Sequence, residues 1–288
     1  MSLGKVLRRL LLGITLFGAA LPIPAHAQEA LMLGVFPRRS PDETYEMFSP
    51  LAQELGRRVG RKVELRATRD FEAFWDQVSK GRFDVVHFNQ YHYMRAKKEL
   101  GYEVVAINKE FGSATIAGAI IVRKDAGINS ALDLKGKKIV FGGGKTAMQS
   151  YIVATWLLRQ AGLKAGEYTE EFSLNPPNAV LAAFQGLAAA GGIGDQVLKL
   201  QAVTSKVNVD DMKILLQSEQ MAQLPWALRK GLPKDMRDKL EKALLGLVDD
   251  EAGRKVLKGA KLDALVAAKD SDFDSQRKIV AEVLGEKY

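Results

Sequence analysis

Residues 138–162 read KIVFGGGKTAMQSYIVATWLLRQAG: a short apolar run, three glycines, and a longer stretch whose apolar residues recur at helical spacing. Residues 138–141 predict a buried strand, and residues 146–161 predict a helix that ends at Gly162. A strand that leads through a short turn into a helix is the repeating unit of α/β proteins. This stretch therefore places the chain in the α/β class.

The same alternation extends outward from the glycines. Ser40 is typical of a helix N-cap, since Pro41 takes the first helical position and Glu43 follows three residues after the cap. The other predicted strands lie at 31–36, 62–66, 85–88, 103–107, 115–122, 168–172, 187–193 and 212–217. The other predicted helices lie at 41–59, 71–80, 91–100 and 178–185, and beyond Pro225 we predict helices alone, from 233 onward.

This pattern predicts two α/β lobes rather than one. The alternation restarts at the glycine-rich stretch, and no low-complexity linker separates the two halves. We assign residues 28–118 with 222–288 to the first lobe and residues 119–221 to the second. The chain then crosses between the lobes twice, and the candidate crossings are 115–122 and 217–226.

The first 27 residues predict a signal peptide. Lys5, Arg8 and Arg9 precede an apolar run at 10–21, and the small-residue triplet at 25–27 forms a cleavage site. A retained anchor helix is the alternative, but the run is short for a membrane span. We therefore expect export to the periplasm. Because the chain has no cysteine to carry a lipid, we expect no lipid anchor.

Composition excludes several classes of function. Loss of the signal peptide lowers the formal charge by three, from +8 to +5, and the basic residues are scattered among acids, so we expect no nucleic-acid partner. The absence of cysteine excludes disulfides, thiol nucleophiles and thiolate metal sites. No GxSxG or HExxH motif occurs, which argues against a periplasmic enzyme. We expect a monomer without catalytic residues, cofactor or metal.

The candidate ligand site lies beyond the carboxyl ends of the strands, where open α/β sheets bind ligands. In the first half these positions hold Phe36, Arg38, His87, Asn89, Gln90 and Tyr91. In the second half they hold Gly143, Gly144, Lys145, Thr146, Gln149, Ser150, Asn175 and Asn178. Glycines let a ligand approach the backbone, and a helix N-terminus favours oxyanions. A plain strand-to-helix turn is the alternative, since neither a Walker loop nor a GxGxxG motif is present.

The aromatic and histidine residues of the first half have competing interpretations. Phe71, Phe74, Trp75 and Val78 recur at helical spacing, which predicts a stripe that faces the core. His87 and His92 are the histidines that remain after export, and a metal site usually needs three or four ligands. We therefore assign His87, with Asn89, Gln90 and Tyr91, to a polar rim with aromatic walls. Packing within a helix is the alternative for the tyrosines.

Three stretches resemble the periplasmic binding proteins of phosphate, phosphite and phosphonate importers. They are residues 81–91 (GRFDVVHFNQY), residues 121–137 (IVRKDAGINSALDLKGK) and residues 228–233 (LRKGLP). The resemblance implies a type II binding-protein fold, with two α/β lobes joined by a two-segment hinge. It also implies a small anionic ligand and docking on an inner-membrane ABC permease, with a sensor kinase as the alternative partner.

The chain departs from this family at the ligand motif. Family members carry a Ser-Thr-Ser-Gly run where this chain has Ala147-Met148-Gln149-Ser150. Ala188 aligns with a family aspartate, and Asn175 lies near a position often held by histidine. We therefore expect phosphate and simple alkylphosphonates to bind weakly, and a larger or different anion to be preferred.

Overall fold

A computed structural model describes residues 29–288, so the predicted signal peptide lies outside the described residues. The strands are β1 Leu31–Val35, β2 Val63–Ala67, β3 Val85–His87, β4 Glu103–Lys109, β5 Thr115–Ile116, β6 Gly118–Arg123, β7 Lys138–Gly142, β8 Thr169–Ser173, β9 Ala190–Gly194, β10 Met212–Gln217, β11 Met221–Ala222, β12 Pro225–Leu228 and β13 Ala264–Ala267. The α-helices are α1 Pro41–Val59, α2 Phe71–Ser79, α3 Gln90–Leu100, α4 Ala154–Gln160, α5 Pro176–Phe184, α6 Gln201–Thr204, α7 Lys234–Leu245, α8 Glu251–Gly259 and α9 Asp274–Leu284. Short 3-10 segments lie at Ala131–Leu134, Asp195–Lys199, Val209–Asp211, Gly246–Val248 and Asp270–Phe273, and a π-helix lies at Met148–Val153.

Two mixed sheets form two lobes, as predicted. The first lobe is built on six strands in the order β13-β4-β12-β3-β1-β2, and the second on five in the order β10-β6-β9-β7-β8. In the first, β1 runs parallel to β2 and β3, and β12 lies antiparallel between β3 and β4. In the second, β7 runs parallel to β8 and β9. The carboxyl ends of β1, β3, β7 and β9 therefore hold the residues that could meet between the lobes.

Two short segments connect the lobes. β5 pairs antiparallel with β11 in a two-stranded ribbon outside both large sheets. The predicted strand at 115–122 is thus divided at Ala117, whose N–H donates 3.1 Å to Asp195 Oδ1 instead of joining a ladder. Because β6 already belongs to the second sheet and β12 to the first, the connections are residues 110–117 and 218–224. The first therefore begins before the predicted crossing, and the second is shorter than predicted.

Local sequence signals position most elements. Ser40 caps α1 through a hydrogen bond from the Glu43 N–H, with Pro41 in the first turn, as predicted. The weak strand predicted at 187–193 forms as β9 because its glycines permit close packing. A Cβ on Gly192 would lie 2.4 Å from the Ser150 carbonyl oxygen, so only glycine lets the helix after β7 approach the sheet.

The prediction that the tail beyond Pro225 is entirely helical is wrong. β12 and β13 are strands of the first sheet, and β12 is fully buried within it. Each has four residues, and β12 begins at a proline, which a strand tolerates at its first position. Strands this short carry too little alternation to be recognised from sequence. Helix α9 then returns to contact both lobes, with Trp156 Nε1 donating 2.7 Å to Glu282 Oε2.

Candidate ligand-binding site

A cleft between the lobes forms a chamber of about 610 Å³ of atom-free space, including its open mouth. Its wall is mostly apolar, formed by Phe36, Phe71, Ile116, Ala147, Met148, Pro176, Pro177, Val197, Leu200 and Leu224. Its polar side chains are Arg38, Asn89, Gln90, Gln149, Ser150 and Gln196. The remaining lining residues are Gly142 and Gly194, at the carboxyl ends of β7 and β9. The chamber thus lies where the strand ends of both sheets meet.

The start of the helix after β7 faces this chamber. The Ala147 N–H donates 2.9 Å to the Gly144 carbonyl, and the Tyr151 and Ile152 N–H groups both donate to the Ala147 carbonyl. Residues 148–150 lie between these bonded donors in the chain. No group among residues 29–288 accepts a hydrogen bond from the N–H of Met148, Gln149 or Ser150. The first N–H groups of a helix carry a partial positive charge, so these three form a donor cluster for an oxyanion.

Gln149 adds an unsatisfied side chain to this donor cluster. The residue is buried, yet neither its Nε2 nor its Oε1 has a hydrogen-bond partner in the described part of the chain. Gln90 is also fully buried, with Nε2 donating 3.1 Å to the Ala222 carbonyl and Oε1 unpartnered. Buried polar atoms normally find partners, so an unpaired one at a cavity wall is available to a ligand or a water. Both side chains therefore point to a ligand in the chamber.

The two lobes touch beside the chamber. Asn89 caps α3 by accepting from the His92 N–H, and its Nδ2 donates 3.1 Å across the cleft to the Thr146 carbonyl. Gly143 has a φ of +89°, and a Cβ there would lie 3.0 Å from the Phe71 ring of the opposite lobe. The lobes are therefore closed against each other in this structure, and Gly143 is a point of close approach.

Arg38 enters the chamber wall as half of a buried ion pair. Its guanidinium donates to both oxygens of Glu110, at 3.0 and 2.8 Å. Burial alone would lower the pKa of Arg38, but the charge of Glu110 holds it above its ordinary value. Burial alone would raise the pKa of Glu110, but Arg38 and the Asn108 amide lower it to about 2. The charge of Arg38 is thus already neutralised.

The structure does not bring the histidines to the chamber. His87 stacks on Trp226 with ring centroids 4.7 Å apart, and its Nε2 lies 3.1 Å from Asn108 Nδ2. His92 stacks on Phe71 and Trp75 and contacts Asn89 through Nδ1. Burial lowers the pKa of each imidazole to about 3, so both are neutral near pH 7. No cluster of three or more His, Cys, Asp or Glu that could hold a metal occurs within residues 29–288.

Several other predicted site residues also lie outside the chamber wall. The Tyr91 hydroxyl points away, donating 2.8 Å to Glu286 Oε2 near the C-terminus. Asn175 caps α5 through a bond from the Asn178 N–H, and both residues line a neighbouring wider cavity. Gly143, Gly144, Lys145 and Thr146 form the loop behind the donor cluster rather than the wall itself. Of the predicted residues, the chamber gathers Phe36, Arg38, Asn89, Gln90, Gln149 and Ser150.

Sequence reasoning missed part of the wall. Phe71, predicted to face the core, instead lines the chamber with its ring centroid 6.1 Å from that of Phe36. One signal could have identified it as a wall residue: Phe71 is the first residue of α2, at the helix end nearest the cleft. Gln196 is the second residue after β9, so the expectation that ligands bind beyond the carboxyl ends of strands applied equally to it. Ala188, by contrast, precedes β9 and lies away from the chamber, so its missing carboxylate does not bear on the ligand.

Comparisons with known proteins agree with the two-lobed fold. PhnD1 from Prochlorococcus marinus, solved in complex with methylphosphonate, matches with a TM-score of 0.79 at 15% identity, over 89% of this chain and 99% of its own. A binding protein component of a phosphonate ABC transporter from Pseudomonas aeruginosa matches at 0.78 and 15%, over 88% and 86%. XAC2383 from Xanthomonas citri, bound to ATP, matches at 0.75 and 16%, over 89% and 97%.

These likenesses confirm the predicted two-lobed type II binding-protein fold. Among the described residues, no helix has the length and apolar character to cross a membrane. The family model described as "ABC transporter, phosphonate, periplasmic substrate-binding protein" matches residues 33–273, which is most of the chain. The protein therefore belongs to the family of periplasmic substrate-binding proteins of phosphonate ABC transporters.

Proposed function

We propose that this protein captures an organic phosphonate or a related organic oxyanion in the chamber and delivers it to an ABC permease. The observation that supports this most strongly is the donor cluster at Met148, Gln149 and Ser150, whose N–H groups lack partners among residues 29–288. An anionic oxygen placed there gains charge-assisted hydrogen bonds from a helix N-terminus without displacing any bond already made.

Closure of the lobes supplies the opposite wall. Residues 28–118 with 222–288 and residues 119–221 are proposed to move as two bodies about the β5–β11 ribbon, as in hinge closure of binding proteins. In the closed state Asn89 bonds to the Thr146 carbonyl, and Phe71 reaches Gly143. A ligand that bridges both walls favours this closed state, which the permease is then expected to recognise.

The wall composition supports an organic ligand over inorganic phosphate. Arg38 is the one charged side chain among the chamber residues, and Glu110 already neutralises it. A phosphate dianion would therefore lack a free cation and leave oxygens unpaired, at a cost of about 1–3 kcal/mol each. Phe36, Phe71 and Met148 offer apolar contacts instead, which favour a ligand with an apolar substituent.

Calorimetry on purified, ligand-stripped protein tests this proposal. We expect phenylphosphonate to bind at least about tenfold more tightly than methylphosphonate or phosphate, because burying a ring contributes about 1.5–3 kcal/mol. Met148→Ser, which introduces a hydroxyl at the helix start, should reduce the difference in affinity between phenylphosphonate and the two smaller anions. Submicromolar binding of phosphate or methylphosphonate, equal to that of phenylphosphonate, would contradict the proposed specificity.

The remaining assignments concern location and assembly. The charged, apolar and small-residue segments of residues 1–27 support export through a signal peptide, and the absence of cysteine supports a freely diffusing, unlipidated protein. We propose that it acts as a monomer, with the permease as its protein partner and without catalytic residues.

A further inference from the structure

A second, wider cavity opens next to the chamber. We call it the vestibule; it lies between α1 and α8 of the first lobe and α5 and α6 of the second. Arg38, Pro177 and Leu200 line both cavities, so the vestibule adjoins the chamber. It encloses about 1760 Å³ of atom-free space, including its open mouth, which is far more than the chamber.

The vestibule is strongly cationic. Seven of its lining residues are basic and two, Glu43 and Asp263, are acidic; the basic ones are Arg38, Arg39, Lys199, Lys206, Arg254, Lys258 and Lys261. Arg38 pairs with Glu110, and Arg39 lies 3.2 Å from Glu43. The other five have no carboxylate oxygen within 4.0 Å anywhere in residues 29–288.

The arrangement of these charges couples them to closure. Arg39, Arg254, Lys258 and Lys261 belong to the first lobe, whereas Lys199 and Lys206 belong to the second. Burial, with a smaller contribution from the charge of Arg38, lowers the pKa of Arg39 to about 10. Like charges that face each other across a closing cleft repel, and a multiply charged anion between them turns that repulsion into attraction.

We propose that the natural ligand carries, beyond the group held in the chamber, a second and multiply charged anionic group of the di- or triphosphate type, which lies in the vestibule. This inference rests on the proposed function, because it extends the ligand out of the same chamber. The apolar chamber then binds the organic part of the ligand, the donor cluster binds the first anionic group, and the vestibule binds the second.

Binding to the vestibule can be tested with phosphate, pyrophosphate and tripolyphosphate. These inorganic anions differ only in the number of linked phosphate groups. We expect calorimetric affinity to rise at least about tenfold from phosphate to tripolyphosphate, since the added anionic oxygens can pair with the cationic side chains of the vestibule. The double variant Lys258→Gln/Lys261→Gln should lose about tenfold for tripolyphosphate. It should bind phenylphosphonate as the wild-type protein does.

The double variant Lys239→Gln/Lys242→Gln is the matched control, because these lysines lie on the same lobe beside Asp249 and Asp250, outside the vestibule. It should bind tripolyphosphate with unchanged affinity. Two results would overturn the inference. One is that tripolyphosphate binds no more tightly than phosphate; the other is that the two double variants lose equal affinity for tripolyphosphate. Because phenylphosphonate reports on the chamber alone, its binding separates a failure of this inference from a failure of the proposed function.

Discussion

Gly143→Val is expected to weaken phenylphosphonate binding by about 100-fold or more, which corresponds to about 2.7 kcal/mol. Gly143 lies in the second lobe with a φ of +89°, and its Cβ position is 3.0 Å from the Phe71 ring of the first lobe. A valine there would meet Phe71 only when the lobes close. The open form is spared that collision. It still bears a 3.2 Å contact between the added Cβ and the Ala147 Cβ of the same lobe, and a backbone cost of about 1–2 kcal/mol, so the fold should persist with reduced stability.

Gly144→Val provides the control for this prediction. A Cβ at Gly144 has no atom within 4 Å, and its φ does not lie in the left-handed region. Calorimetry should therefore show near wild-type affinity for Gly144→Val, and small-angle scattering should show that Gly143→Val stays open when ligand is added. Wild-type affinity in a folded Gly143→Val protein would mean that closure at this point does not accompany binding.

Glu110→Ala is expected to destabilise the protein by about 3–5 kcal/mol, because it leaves the Arg38 guanidinium buried without its counter-charge. Glu110 Oε1 also accepts a hydrogen bond from Asn108 Nδ2 at 2.8 Å, and Asn108 Oδ1 accepts one from Trp226 Nε1 at 2.7 Å. Removal of the carboxylate thus disturbs a buried network beneath the chamber as well as one ion pair. Urea unfolding at pH 7 measures the change.

Glu43→Ala is the matched control, since the Glu43 side chain is 49% exposed and its pair with Arg39 should contribute at most about 1 kcal/mol. The pKa of Glu110, about 2, lies below the ordinary value of 4.5 that the carboxyl has in an unfolded chain. Its contribution is therefore complete above about pH 4.5 and is lost as the pH falls towards 2. Equal unfolding midpoints for Glu110→Ala and Glu43→Ala would contradict the assignment.

Much of the fold followed from short-range signals in the sequence. The Ser40-Pro41 cap, the strand before Gly142 and the glycine-ended helices each depend on neighbouring residues, so each was predicted close to its observed position. The expectation that ligands bind beyond the carboxyl ends of the strands also identified six residues of the chamber, among them Gln149. These predictions succeeded because local geometry alone determines them.

The remaining features depend on contacts that are distant in the chain. His87 meets the same expectation, but Trp226, 139 positions later, stacks on it and holds it behind the chamber. Phe71 becomes a wall residue only because the second lobe closes against it. The vestibule likewise combines α1, α6 and α8, whose basic residues look scattered along the sequence.

The central claim, that the donor cluster binds the ligand oxyanion, depends on single backbone N–H groups. Met148→Pro removes one of them at the first position of the helix, where no intrahelical bond is lost. Ala147 before it is extended, with a ψ of 107°, which suits a residue that precedes proline. Met148→Leu keeps the N–H and a similar apolar volume. Met148→Ala keeps the N–H but, like proline, removes most of the apolar side chain, so Met148→Pro and Met148→Ala differ chiefly in this donor.

The decisive measurement is the calorimetric Kd of phenylphosphonate for Met148→Pro against Met148→Ala. Loss of one charge-assisted hydrogen bond, at about 1.5–3 kcal/mol, predicts binding weaker by about 10-fold to 150-fold in Met148→Pro. Met148→Leu should stay within about threefold of the wild-type protein, as volume-conserving apolar replacements do. Equal Kd values for folded Met148→Pro and folded Met148→Ala would show that the N–H groups at the helix start do not bind the ligand.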